Sequence, residues 1–121
     1  MMNPKSILLL IRTSPYQGAA FGEALDALLV AAAFEQRCSL MLIDDAVYAL
    51  LPDQDGVILG VRTPGKMLIA LPDYEVENLY VCAQSLAQRH LSDTTTVVSV
   101  QHISPHDQAE LIARHDVVWS C

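Results

Sequence analysis

"SILLLIRTSPYQGAAFGEALDALLVAAAFEQRCSLMLID" spans residues 6 to 44. Its two ends, "SILLLIR" (6–12) and "CSLMLID" (38–44), are continuous apolar runs. A strand with one wet face alternates apolar and polar residues. A strand covered on both faces, as in a parallel sheet, shows no such alternation. "TSPYQG" (13–18) punctuates the stretch with Pro15 and Gly18, which marks a turn. The segment from about 19 to 35 carries the longer apolar spacing of a helix. Strand, helix, strand is a βαβ unit, and two strands joined by a helix pair in parallel.

Further along, the same alternation repeats. "DAVYALL" (45–51) predicts a short helix that stops at Pro52. "PDQDGVILGVRTPG" (52–65) predicts a loop, with at most a short strand-like piece, because Gly56, Gly60, Pro64 and Gly65 interrupt it. "KMLIALPDY" (66–74) fits one short helical turn. "ENLYVCA" (77–83) predicts a third strand and "AQSLAQRH" (83–90) a short helix. "TTVVSVQ" (95–101) is β-branched and predicts a fourth strand. Ser104 as N-cap, Pro105 at the first helical position and Asp107 beyond it announce a last helix to about Arg114. "DVVWS" (116–120) predicts the closing strand. The expected fold is α/β, one layered domain over 1–121. Its mostly parallel five-stranded sheet carries helices on both faces.

The 121 residues suit one domain, and 52% of them are hydrophobic, enough for a core. Asp and Glu number 14 against 7 Lys and Arg, a formal charge of −7. Affinity for nucleic acid comes largely from basic side chains that release phosphate counterions. Direct nucleic-acid binding by this chain alone is therefore not expected. The apolar runs "SILLLIR" and "ALLVAAAF" (27–34) are too short for a secretory segment or a membrane span. A cytoplasmic location is the expectation. Cys38, Cys82 and Cys121 are odd in number and widely spaced, so they form no complete disulfide framework and no zinc pattern.

From Ala27 to Phe34 every residue is apolar, over about two helical turns. A helix lying on a sheet needs only one apolar stripe. The surplus points to a subunit interface, although alanine is also tolerated on surfaces.

Cys82 closes a strand and opens a helix. In open α/β sheets, ligands gather at the carboxyl ends of strands. Free N–H groups of the helix there favour a thiolate. Asp73, Glu75 and Glu77, just upstream, oppose it if they lie close, and Arg89 stands too far along the helix to help. A buried small hydrophobe is the competing reading. Cys38 reads as a packing residue and Cys121 as a terminal thiol. His102 and His106 straddle Ser104-Pro105 and share no helix face, so no metal site is expected. His90 and His115 read as solvated or capping residues. "RTSPYQG" offers Thr13, Ser14 and Gly18 to a phosphate, as in flavodoxin-like binders. It lacks a glycine-rich fingerprint and a P-loop lysine, and reads better as a plain turn.

Three stretches, "GEALDALLVAAAFEQ", "LIDDAVYALLPDQ" and "LYVCAQSLAQRHL", together with the closing "HDVVWSC", carry a family resemblance. The chain resembles the DsrE/DsrF/DsrH sulfur-relay family, most closely its DsrF/TusC branch, nearly end to end. The resemblance implies a cytoplasmic α/β subunit of a hetero-oligomer with DsrE/TusD-like and DsrH/TusB-like partners. Such complexes pass persulfide sulfur toward 2-thiouridine at the tRNA wobble position, or serve dissimilatory sulfur oxidation. It further implies that the essential sulfur-accepting cysteine belongs to the DsrE/TusD-like subunit. Cys82 falls at the matching junction and is the candidate, non-essential sulfur carrier. No cofactor is implied. The expectations are thus a structural subunit of a sulfurtransferase complex, a sulfurtransferase in its own right using Cys82, or a flavodoxin-like binder using residues 13–18.

Overall fold

The computed structural model describes residues 4–52, 63–76 and 78–121. Strands β1 (Ser6–Ile11), β2 (Arg37–Leu42), β3 (Asn78–Cys82), β4 (Gln101–Ile103) and β5 (Val117–Ser120) form one sheet. Helices α1 (Ala20–Ala33), α2 (Pro64–Ala70), α3 (Ala83–Gln88) and α4 (Pro105–Ala113) lie between them, with 3-10 turns at Asp44–Leu50 and Leu71–Tyr74. The strand order is β4-β3-β2-β1-β5, and every neighbouring pair is parallel. The expected α/β fold is thus observed.

That order explains the layering. From β1 to β4 the chain steps one way across the sheet, and then it returns past β1 to β5. Parallel crossovers share one hand, so the helix before β5 must lie on the face opposite the others. The core shows this division. Ile7, Leu9 and Ile11 of β1 pack with Phe21, Leu25 and Leu28 of α1 and with Leu68 of α2. Leu8 and Leu10 point the other way, to Met41, Cys82, Ile103 and Leu111 of α4. Both sides of β1 are buried, as its unbroken apolar run requires.

The helix ends follow local rules, except that three of the left-handed ends lack glycine. Ser104 caps α4 by accepting the Asp107 N–H at 3.2 Å. Helix α1 ends in a Schellman motif: Gln36 N–H reaches Ala31 O at 3.2 Å and Glu35 N–H reaches Ala32 O at 3.0 Å. Its left-handed residue is Glu35, φ +65°, where glycine is usual. Glu75 (φ +67°) ends the Leu71–Tyr74 turn in the same way, and His90 (φ +58°) ends α3. His90 is a capping residue in this sense. His115 sits at the end of α4, with Nδ1 2.7 Å from Leu111 O.

Two expectations need correction. Pro64 does not belong to a loop: it opens α2 after Thr63, and the helix runs on into the Leu71–Tyr74 turn. A proline at the first helical position costs no hydrogen bond. The rest of the expected loop, 53–62, lies outside the described residues. The strand expected at 95–101 pairs only from Gln101 to Ile103. Val97, Val98 and Val100 pack on the α1 side of the core instead. The Val97 N–H is taken by Leu50 O at 2.9 Å, away from the sheet. The β-branched run is used for packing, and tertiary contact overrides its strand propensity.

Candidate functional site

Cys82 ends β3 and is the N-cap of α3. Its Sγ accepts the Ser85 N–H at 3.4 Å, the contact that a serine or aspartate makes at most caps. The thiol is only 3% exposed. It packs among Leu8, Leu10, Met41, Ile43, Ile103 and Leu111, on the sheet face opposite α1. The free thiol is therefore sealed beneath the carboxyl edge of the sheet.

A polar lattice lies over that edge. Asp44 follows β2 in a left-handed conformation, φ +53°, which an aspartate tolerates better than most residues. Its N–H donates to the buried Ser85 Oγ at 2.9 Å. Arg89, at the end of α3, donates from Nε and Nη2 to Asp45 Oδ1 at 3.1 and 2.8 Å. It also donates from Nη1 to Ser85 O at 3.2 Å, and its guanidinium lies 6.0 Å from the Tyr48 ring centre. Arg12 reaches Asp44 at 3.6 Å across the tips of β1 and β2. Ser85, Asp44, Asp45 and Arg89 thus tie α3 to the 3-10 turn after β2. The sequence carries them as "LIDDAVY" and "CAQSLAQR", but their pairing is a tertiary fact.

Two of the upstream acids, Asp73 and Glu75, do not lie beside Cys82. Asp73 and Glu75 stand at the amino end of β3. A strand rises about 3.3 Å per residue, so β3 alone sets them roughly 13 Å or more from the thiol. Glu77 lies outside the described residues. Arg89 binds Asp45 rather than the sulfur.

Cys121 extends β5: its N–H donates to Leu10 O at 2.8 Å, and its O accepts from Arg12 N–H at 2.7 Å. Its Sγ is 4.0 Å from Thr13 Oγ1 and 3.8 Å from Ala20 O, at the foot of α1. Val117 and Trp119 share that face, whereas Cys82 points to the other. The two thiols also lie three strands apart, about 14 Å at the usual strand spacing. They are not brought together. Cys38 is buried in the α1-side core, and burial pushes its thiol pKa above the ordinary value. In the loop 13–18, Ser14 Oγ accepts the Tyr16 N–H and Ser14 O accepts the Gln17 N–H. Gly18 adopts φ +75°. The loop folds on itself as a turn. Among the described residues no His/Cys/Asp/Glu group could hold a metal ion, and no helix is long and apolar enough to cross a membrane.

A doubly wound parallel sheet with a thiol capping the helix after its third strand defines the class: a small α/β protein with a cysteine at the sheet's carboxyl edge. The family model described as the DsrE/DsrF-like family matches residues 5–119. A Protein TusC homolog of Pseudomonas aeruginosa is 32% identical over 114 residues, covering 94% of this chain and 96% of that protein. Another, from Vibrio parahaemolyticus, is 36% identical over 95 residues, covering 78% and 80%. The crystal structure of the ychN protein from E. coli superposes with a TM-score of 0.81 over 97% of this chain and 99% of that one. At 20% identity that likeness shows the fold. The chain belongs to the DsrE/DsrF-like family, the sulfur-relay family its sequence resembles, and within it to the DsrF/TusC branch.

Proposed function

We propose that this chain is a cytoplasmic, mainly structural subunit of a sulfur-relay complex. The complex passes persulfide sulfur toward 2-thiouridine at the tRNA wobble position. Its partners are DsrE/TusD-like and DsrH/TusB-like subunits, and the essential thiol sits on the DsrE/TusD-like one. The observation that carries the proposal is the burial of Cys82: a carrier must present its sulfur to donor and acceptor, and this one is used as a helix cap. The outward side of α1 supports a subunit role, because Val30 (58% exposed) and Phe34 (75% exposed) find no cover among the described residues. The charge of −7 supports leaving tRNA to a partner.

Co-expression with the two partner subunits, followed by tRNA thiolation with wild-type and Cys82→Ser complexes, tests it. Stable co-purification with largely retained thiolation is expected. Loss of transfer in a serine variant that still assembles would overturn the structural reading. A second reading then applies, favoured by the N-terminal position of Cys82 on α3. Its thiolate would attack the outer sulfur of a donor persulfide, form the Cys82 persulfide and release the donor as a thiolate. Service in dissimilatory sulfur oxidation in place of tRNA thiolation predicts the same assembly with a different acceptor.

A further inference from the structure

Helices α1 and α2 lie side by side and leave a groove of about 450 Å³ between them. Its walls are mainly apolar, with Leu25 and Leu29 from α1, Met67 and Ala70 from α2 and the Tyr74 ring beyond, while Asp26, Thr63 and Lys66 supply the polar part of the lining. Exposed Val30 and Phe34 flank it on α1, and exposed Ile69 lies on α2. Four of the six large exposed apolar residues among those described, Tyr74 included, thus belong to this layer. Exposed large apolar side chains concentrated on one helical layer point to a contact surface.

Charge narrows what can fill it. Glu23 and Glu35 stand at the two ends of α1, and Asp73 and Glu75 close the α2 side. Asp26 lines the groove itself, and among the described residues Lys66 is the only basic one that does. A second copy of this chain would bring the same acidic margin to the same place, and like charges facing each other are costly. A groove between two helices accepts a third whose apolar residues recur at i, i+3, i+4 and i+7. We infer that the α1–α2 groove docks an amphipathic helix of a partner protein, with one apolar stripe flanked by Lys or Arg. This deepens the subunit reading and rests on it for the partner, but the groove's chemistry can be tested alone.

The probe is a synthetic 20-residue helix with Leu on one stripe and Lys on its flanks, compared with a Glu-flanked twin and a stripe-scrambled peptide of the first's composition. Binding to the full chain is read by fluorescence anisotropy at low and physiological salt. The Lys-flanked peptide should bind at least tenfold more tightly than either control. Met67→Glu and the milder Tyr74→Glu should weaken it by tenfold or more while circular dichroism stays native. Lys66→Glu should tighten it severalfold, and Ile112→Glu on the opposite face should change nothing. Equal binding of the scrambled peptide, or indifference to both groove variants, would overturn the proposal. So would a homodimer that Tyr74→Glu dissociates, which would assign the groove to a second copy. A co-expressed complex that survives Met67→Glu would sink this proposal and leave the subunit reading standing. If no complex forms while the peptide still binds, the subunit reading fails instead.

Discussion

The burial of Cys82 makes a quantitative claim about its chemistry. Iodoacetamide reaches a thiol only when the sulfur is exposed, so a sealed thiol reacts through opening of α3 from the sheet. Opening breaks the hydrogen bond between Ser85 and the Asp44 N–H and the Arg89–Asp45 pair, and it exposes buried Leu86. The hydrogen bond contributes about 1 kcal/mol, the partly exposed ion pair roughly 0.5 kcal/mol after screening, and the leucine about 1.5–2 kcal/mol. Together that is about 3 kcal/mol, which keeps the open form near one part in a hundred or fewer. Alkylation of Cys82 in the native chain should therefore be slower by about two orders of magnitude than in the urea-unfolded chain. Partly exposed Cys121 should show much less protection. Mass spectrometry of quenched time points reads all three thiols at once. Ser85→Ala should speed Cys82 by about fivefold and Arg89→Ala by about twofold, as 1.4 kcal/mol is a factor of ten, with Cys121 unchanged. Native Cys82 that reacts as fast as Cys121, or variants that accelerate both alike, would refute the latch.

Other outcomes are expected elsewhere in the molecule. Asp116 accepts from the Ser6 N–H at 2.9 Å and the Ser6 hydroxyl at 3.1 Å, with Lys5 and Arg37 adding weaker attraction, so its carboxyl pKa lies below the ordinary 3.8. A lowered folded-state value means its stabilisation is complete above that ordinary value and fades as pH falls through the folded one. Acid unfolding of Asp116→Asn, followed by circular dichroism, should show a smaller drop across that window than wild type. Glu35→Gly should raise stability in urea melts by about 0.5–1 kcal/mol, since glycine adopts φ +65° without strain; a loss would mean the Glu35 side chain has another role. Val30→Glu should leave the isolated fold within about 0.5 kcal/mol of wild type, because the site is exposed. It should nonetheless disrupt co-purification with the partner subunits, and an unchanged size-exclusion profile would move the interface off α1. The isolated chain should bind tRNA no more tightly than weak, salt-sensitive association, and a sub-micromolar gel shift at physiological salt would contradict this.

The layered fold was legible because its strongest signals are local. Unbroken apolar runs mark β1 and β2, and Ser104-Pro105 marks the start of α4. What escaped depended on partners distant in sequence. The β-branched run 95–100 satisfies strand propensity on paper, yet Val97 bonds to Leu50 and its side chain faces Gly65, 3.5 Å from where a Cβ would stand. Pro64 is both a turn signal and a helix starter, and local sequence does not separate the two uses. Asp73 and Glu75 are near Cys82 in sequence and a strand's length away in space, because β3 intervenes. Asp44 and Asp45, distant in sequence, hold the helix that covers it.

The same separation explains why two readings of Cys82 coexisted. A residue between a strand and a helix meets free N–H groups, which suits a nucleophile and suits a cap equally well. Only burial distinguishes them, and burial is set by residues on other elements. Leu8 and Leu10 come from β1, Met41 from β2, and Leu111 from α4; even Ile103, the nearest in sequence, belongs to the next strand. A relay thiol on this scaffold would need a smaller or more polar residue at one of those positions, or a weaker tie between α3 and the turn after β2. Here the apolar wall is complete and the tie is made twice, through Ser85 and through Arg89. The thiol's position fits a sulfur carrier, and its surroundings hold it as a structural cap.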